Sequence, residues 1–183
     1  NIIAVEVMDQ DGGGILFLDL ETAQLGSPDI SFNGNGVMEL SPSWWPDGSR
    51  LVYVSDLTGE LQVYMLDLLT RAVIQITDVA GGASMPQVSP DGGSLAFVSL
   101  ADDEWQLYVA PIPEDVEGAP ITIGDSIRVS EDDAAQHILP YWSPDGLQLL
   151  ASQNTADELV RMMIFDPALV TPPKVTGPFG SVA

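Results

Sequence analysis

The architecture of this chain can be read from S-W-W-P-D-G-S-R-L-V-Y-V-S, Ser43 to Ser55. Two further segments repeat it: Q-V-S-P-D-G-G-S-L-A-F-V-S from Gln87 to Ser99, and Y-W-S-P-D-G-L-Q-L-L-A-S from Tyr141 to Ser152. Each carries a Pro-Asp-Gly triplet, then an apolar run closed by serine. Proline presets one backbone angle, aspartate hydrogen-bonds the chain two residues on, and glycine accepts the positive φ of a tight hairpin. Pro46, Asp47 and Gly48 are therefore expected to turn the chain between antiparallel strands, as are Pro90, Asp91 and Gly92, and Pro144, Asp145 and Gly146. The runs that follow, such as Leu51 to Val54 and Leu95 to Val98, are apolar on both faces. That pattern suits a strand sandwiched between neighbouring sheets.

The turn prolines stand 44 and 54 residues apart, close to the ~40 to 50 residues of one four-stranded propeller blade. A second register runs in phase with the first. The segments Q-V-Y-M-L-D (Gln62 to Asp67), Q-L-Y-V-A-P (Gln106 to Pro111) and R-M-M-I-F-D (Arg161 to Asp166) begin 16, 16 and 17 residues after their turn prolines. Short polar loops separate the two strands of each unit, at Asp56 to Gly59, Asp102 to Glu104 and Asn154 to Asp157. A fourth strand is expected at Ala72 to Thr77, at Ile121 to Val129 with an interruption at Gly124, and at Lys174 to Thr176. The fold class is thus all-β, a propeller of four-stranded antiparallel blades, three full and one partial, with approximate boundaries 1–40, 41–84, 85–136 and 137–180. G-I-L-F-L-D, Gly14 to Asp19, matches the third strand and would place its own turn proline at position −2. Ile2 to Val7 is then a second strand whose first strand is missing, and Gly180 to Ala183 falls where another first strand would start. An excerpt of a larger propeller is expected; ring closure by the C-terminal segment is the alternative.

S-W-W-P-D-G, V-S-P-D-G and W-S-P-D-G, each followed by an apolar strand and then by Q-V-Y-M-L-D or its counterpart, resemble the WD40-like, or PD40, repeats of TolB-type propellers. The resemblance covers nearly the whole chain and speaks to fold far more than to function. It implies a non-catalytic module, periplasmic, secreted or at the cell surface, that binds other proteins through the propeller faces. Related propellers cap peptidases of the prolyl oligopeptidase type, so a propeller domain of a larger hydrolase is the runner-up, and a structural subunit of a surface assembly is a third reading. Two departures stand out: Pro111 replaces the aspartate that usually follows the third strand, and the third unit carries an acidic insertion, Glu114 to Gly118. An irregular outer edge is expected there.

Composition narrows the partners. With 27 acidic residues against 5 basic ones the formal net charge is −22, and phosphate surfaces need clustered Lys and Arg, so no nucleic-acid partner is expected. A protein partner, basic in character, suits such a surface; a solvated acidic coat is the plainer reading. With no cysteine, disulfides, thiolate metal sites and thiol catalysis are excluded. Asn1 to Val7 is too short an apolar stretch, without a basic flank, for a signal peptide or a transmembrane helix, so no membrane insertion is expected.

Few residues suggest chemistry. The three turn aspartates recur because the turn needs them. Asp9-x-Asp11-Gly12 resembles the opening of a calcium loop, but the downstream bidentate glutamate is missing, and a hairpin rich in Asp and Gly explains it as well. Calcium is therefore the only cofactor weighed. The acidic loops Glu114 to Gly118 and Glu131 to Asp133 read as solvated. His137, the single histidine, precedes Pro140 at the entry to an inner strand, and no G-x-S-x-G motif accompanies it. No catalytic residue is expected. Trp44, Trp45, Tyr141 and Trp142 flank the turns and should pack between blades, with Trp45, His137 and Tyr141 as the candidates for contact with a partner.

Overall fold

The computed structural model describes residues 1–9, 12–26, 36–101, 104–112, 126–130, 135–155, 160–168 and 174–176. Fifteen strands form four antiparallel sheets in chain order, and no helix occurs among the described residues. The first sheet holds β1 (Ile2–Asp9), β2 (Gly12–Asp19) and β3 (Gln24–Gly26). The second holds β4 (Glu39–Trp44), β5 (Arg50–Ser55), β6 (Gln62–Asp67) and β7 (Val73–Gln75). The third holds β8 (Ser84–Val88), β9 (Ser94–Ala101), β10 (Glu104–Pro111) and β11 (Ile127–Arg128), and the fourth β12 (Ala135–Trp142), β13 (Leu149–Thr155), β14 (Val160–Phe165) and β15 (Lys174–Thr176).

Each sheet is a meander, so successive strands pair with their chain neighbours. The inner strands β4, β8 and β12 pack against one another in that order, whereas the outer strands β7, β11 and β15 make no such contact among the described residues. Sheets that touch at one side and splay at the other are blades set around an axis. β5 and β6 are buried on both faces apart from one terminal residue each, because a blade on either side covers them.

Three apolar clusters fill the seams. Ile15, Tyr53, Tyr64 and Leu66 join the first blade to the second, with Phe17 tilted against Trp44. Trp45, Val52, Met65, Phe97 and Leu95 join the second to the third. Val98, Leu107, Leu149, Met163 and Phe165 join the third to the fourth.

A polar clasp holds the third and fourth strands together at the outer side. The Gln62 amide oxygen accepts from the Thr77 hydroxyl at 2.7 Å, and that hydroxyl accepts from the Val63 amide at 2.7 Å. In the next blade Gln106 and Ser130 repeat the arrangement, with the Leu107 amide donating to the Ser130 hydroxyl at 3.0 Å. All four polar side chains are buried, so their mutual bonds offset the desolvation they suffer. Beyond the third strand, Asp19 accepts from the amides of Glu21 and Thr22, and Asp67 from those of Leu69 and Thr70. Pro111 cannot replace them, and the fourth strand of that blade is the shortest, Ile127–Arg128.

Candidate binding face on the inner strands

The three Pro-Asp-Gly corners are built alike. Gly48, Gly92 and Gly146 each donate their amide three residues back, to Trp45, Ser89 and Ser143, and each has a φ near +75°: +72°, +77° and +72°. In the second and third corners the serine before proline does two things at once. Its hydroxyl donates to the turn aspartate (Ser89 to Asp91, Ser143 to Asp145) and accepts the amide across the hairpin, Ser94 or Gln148, at 2.9 Å. The first corner has Trp45 there instead, and Ser49 supplies both amide and hydroxyl to Asp47. These hydroxyls, followed by the backbone amides, hold Asp47, Asp91 and Asp145 below the usual carboxylate range. The triplets are structural, as their residue types require.

Consecutive corners also lean on each other. The Trp45 indole lies under Gly92, where an added Cβ would stand 3.0 Å from its Nε1, and Gly146 lies over Pro90, at 3.5 Å on the same measure. Arg50 lies over the Trp45 ring at 4.2 Å and reaches Asp47 at 3.7 Å.

A feature absent from the sequence expectations lies one turn of chain earlier. Ser41, Met85 and Leu139 have φ of +51°, +51° and +55°, each directly before a proline, and each sits in a bulge where the pairing of inner with second strand shifts register. A left-handed residue with a side chain costs about 1 to 2 kcal/mol, and three equivalent ones are built into three successive blades. The signal was present in the sequence: Pro42, Pro86 and Pro140 each stand four residues ahead of a turn proline.

The bulges meet. Ser41–Pro42, Met85–Pro86 and Leu139–Pro140 line one recess of 180 Å³, completed by Gln87 and Tyr141. Among the described residues no ionisable carboxylate or amine lines it, in contrast to the charge of the chain as a whole. Leu139 and Tyr141 are exposed, Tyr141 at 55%. The Ser41 amide is capped from the preceding blade by the Glu6 carboxylate at 2.7 Å, and the Leu139 amide by the Met85 sulfur at 3.4 Å.

Of the three residues expected to contact a partner, the structure leaves Tyr141 at the surface. Trp45 is 6% exposed and packs in the second seam. His137 is 0% exposed, edge-on to Phe165 and 3.4 Å from the Gln153 amide nitrogen. Trp44 and Trp142 face the preceding blade, Trp142 donating to the Gln87 carbonyl at 3.0 Å. Asp11, the 114–118 and 131–133 loops and residues 180–183 lie outside the described residues, and of Asp9 the strand backbone alone is described. Among the described residues no three acidic or imidazole groups converge on a common point.

Antiparallel meanders arrayed by their inner strands, with strained bulges converging on a shared recess, define a β-propeller. No family model matches the chain. A TolB homolog of Chlorobaculum tepidum is 30% identical over 145 residues, 78% of this chain and 31% of the homolog. The Tol-Pal system protein TolB of Francisella tularensis is 43% identical over 71 residues, 38% of this chain and 16% of that protein. Among solved structures, TolB from Acinetobacter baumannii superposes with a TM-score of 0.75 at 21% identity, over 99% of this chain and 42% of its own. A puromycin-hydrolyzing peptidase of Mycobacterium tuberculosis shares the fold at a TM-score of 0.65 and 17% identity, over 96% of this chain and 29% of its own. These likenesses support a TolB-like propeller family. The chain spans less than a third of the length of the curated relatives it matches.

Proposed function

We propose that this chain is a non-catalytic, protein-binding or scaffolding propeller module of TolB type, acting outside the cytoplasm without a cofactor, and that a partner protein docks in the recess of the three bulges. The observation that carries the reading is that recess. Strained backbone persists where the surrounding fold over-determines it and concentrates at functional sites, and here it recurs in register, beside an exposed tyrosine of the kind that anchors interfaces. The charge of −22 favours a partner with a basic surface around an uncharged contact. The location outside the cytoplasm rests on the resemblance to TolB-type propellers, one of which is named for the Tol-Pal system.

Titration calorimetry against the Pal component of that system tests the proposal. Saturable binding is expected, weakened at least ~10-fold by Tyr141→Ala, a loss of about 1.4 kcal/mol, with the unfolding midpoint unchanged. No binding, or equal binding by the variant, overturns docking at the recess. A second reading, the propeller domain of a larger hydrolase, draws on the peptidase neighbour. It requires a G-x-S-x-G nucleophile outside residues 1–183, which the complete coding sequence would reveal.

A further inference from the structure

Two of the strained bulge amides are held by side chains of the preceding blade, and the two side chains differ in chemistry. The Ser41 amide donates to the Glu6 carboxylate at 2.7 Å, the Leu139 amide to the Met85 thioether at 3.4 Å. Leu139 falls in the gap between the Ile138 and Tyr141 pairs, so its amide stands outside the β12–β13 ladder. Met85 is itself the left-handed residue of its own bulge. Its sulfur therefore ties the strained residue of the third blade to that of the fourth. A thioether is a weak acceptor, and unlike a carboxylate it can be oxidised in place.

The other methionines are placed differently. Met65 and Met163 are buried in the seams, Met8 and Met162 are exposed, and the half-buried Met38 does not line the recess. Met162 also accepts a hydrogen bond, from the Ser152 hydroxyl at 3.7 Å, but at an exposed site where that hydroxyl can turn to water. The Leu139 amide cannot turn. Met85 is half-buried and lines the recess, which admits a molecule as small as a peroxide. We propose that Met85 is a modification site, oxidised by hydrogen peroxide to methionine sulfoxide. A sulfur lone pair attacks one peroxide oxygen, the O–O bond breaks as the S–O bond forms, and the other oxygen leaves as water; sulfur loses two electrons and the peroxide gains them. A thiol-dependent sulfoxide reductase reverses the change, the oxygen leaving as water while two thiols become a disulfide. The new oxygen, a stronger acceptor than sulfur, takes the Leu139 amide. The sulfur draws back to make room, and an apolar part of the recess wall becomes polar.

The probe is dilute hydrogen peroxide, added in steps to the chain, with mass spectrometry of proteolytic fragments to locate each sulfoxide and amide NMR to follow Leu139. Both readouts are taken without a partner, so they are independent of what docks in the recess. Met85 is expected to react before the buried Met65 and Met163. As it does, the Leu139 amide proton should move downfield and its exchange with solvent should slow at least ~5-fold, as a stronger hydrogen bond requires. Sulfoxide reductase with a dithiol should restore both. Met85→Leu, which nearly conserves volume, should abolish the response, and the double variant Met8→Leu, Met162→Leu should keep it. Met85→Gln, whose amide offers an oxygen acceptor, should show the shifted Leu139 signal without peroxide, and it decides if Met85→Leu fails to fold. Three results overturn the proposal: Met85 still a thioether after Met65 and Met163 have reacted, a Met85 sulfoxide that leaves the Leu139 shift and exchange rate unaltered, or a peroxide response at Leu139 that persists in folded Met85→Leu.

Discussion

A carboxylate that accepts hydrogen bonds within two residues of itself acts wherever its turn is placed, and that is why the roles of Asp47, Asp91 and Asp145 were legible before any fold was known. The hydroxyls of Ser89 and Ser143 were harder to read, since their second bond crosses the hairpin to Ser94 and Gln148. Ser89→Ala strands the Ser94 amide and leaves Asp91 with the Gly93 amide but without its hydroxyl donor, and should cost about 1 to 2 kcal/mol in urea unfolding with an unchanged slope. All three aspartates titrate lower folded than unfolded, so their contribution is present above the unfolded value of 3.8 and is lost as pH falls through the folded values. Stability should therefore decline below about pH 4, and Asp91→Asn together with Asp145→Asn should flatten that decline in a pH series of unfolding midpoints. Tyr53 is the opposite case. Burial, and then the nearby Glu39, raise its phenol, whose oxygen has no hydrogen-bond partner among the described residues. Tyr53→Phe should leave stability equal or raise it by about 1 kcal/mol; a clear loss would reveal a hidden bond.

At the scale of the strand, phase was the readable quantity. Gln62–Asp67 was expected and found as β6, and the other third strands fell within two residues of expectation, because a buried strand has to be apolar over its whole length while a loop does not. The bulges escaped notice because nothing in Ser41, Met85 or Leu139 as residue types announces a positive φ; their prolines were the cue, and three prolines in register outweigh any one. The fourth strand Lys174–Thr176 was found with its expected bounds, whereas the one expected at Ala72 to Thr77 spans Val73–Gln75 and, of the one expected at Ile121 to Val129, residues 121–125 lie outside the described residues and Ile127–Arg128 is strand; beyond β7 the chain is held by a clasp rather than a ladder, Gln62 with Thr77, a contact over 15 residues. Glycines separate local from tertiary demand in the same way. A Cβ on Gly48 meets open space, so Gly48→Ala should cost only the backbone strain, about 1 kcal/mol. On Gly81 the same atom would overlap the Leu100 carbonyl oxygen. Gly81→Ala should therefore cost at least ~2 kcal/mol, and paired denaturant curves would compare the two.

For the molecule as a whole, the repeat made the radial stacking legible, while the identity of what lies between blades was not. Trp45 was weighed as a contact for a partner and instead plugs the second seam beneath Gly92; which side of a blade an indole faces is decided by the neighbour, not by its own strand. Trp45→Ala should cost about 3 to 5 kcal/mol by opening a cavity there. The seams are also unequal. Glu39 and His137 hold the same place in β4 and β12, two residues ahead of the bulge, and Ala83 holds the corresponding place just before β8. Acid and imidazole are thus shut inside at Glu39 and His137, while at Ala83 a methyl group packs into the largest apolar cluster. Water reaching the interior under stress would meet a carboxyl at Glu39 and an imidazole at His137, whereas between the second and third blades it would meet the largest apolar cluster. Such a molecule should come apart from its flanks, leaving the second and third blades as the last ordered remnant, and amide hydrogen exchange should be slowest in β5, β6 and β9.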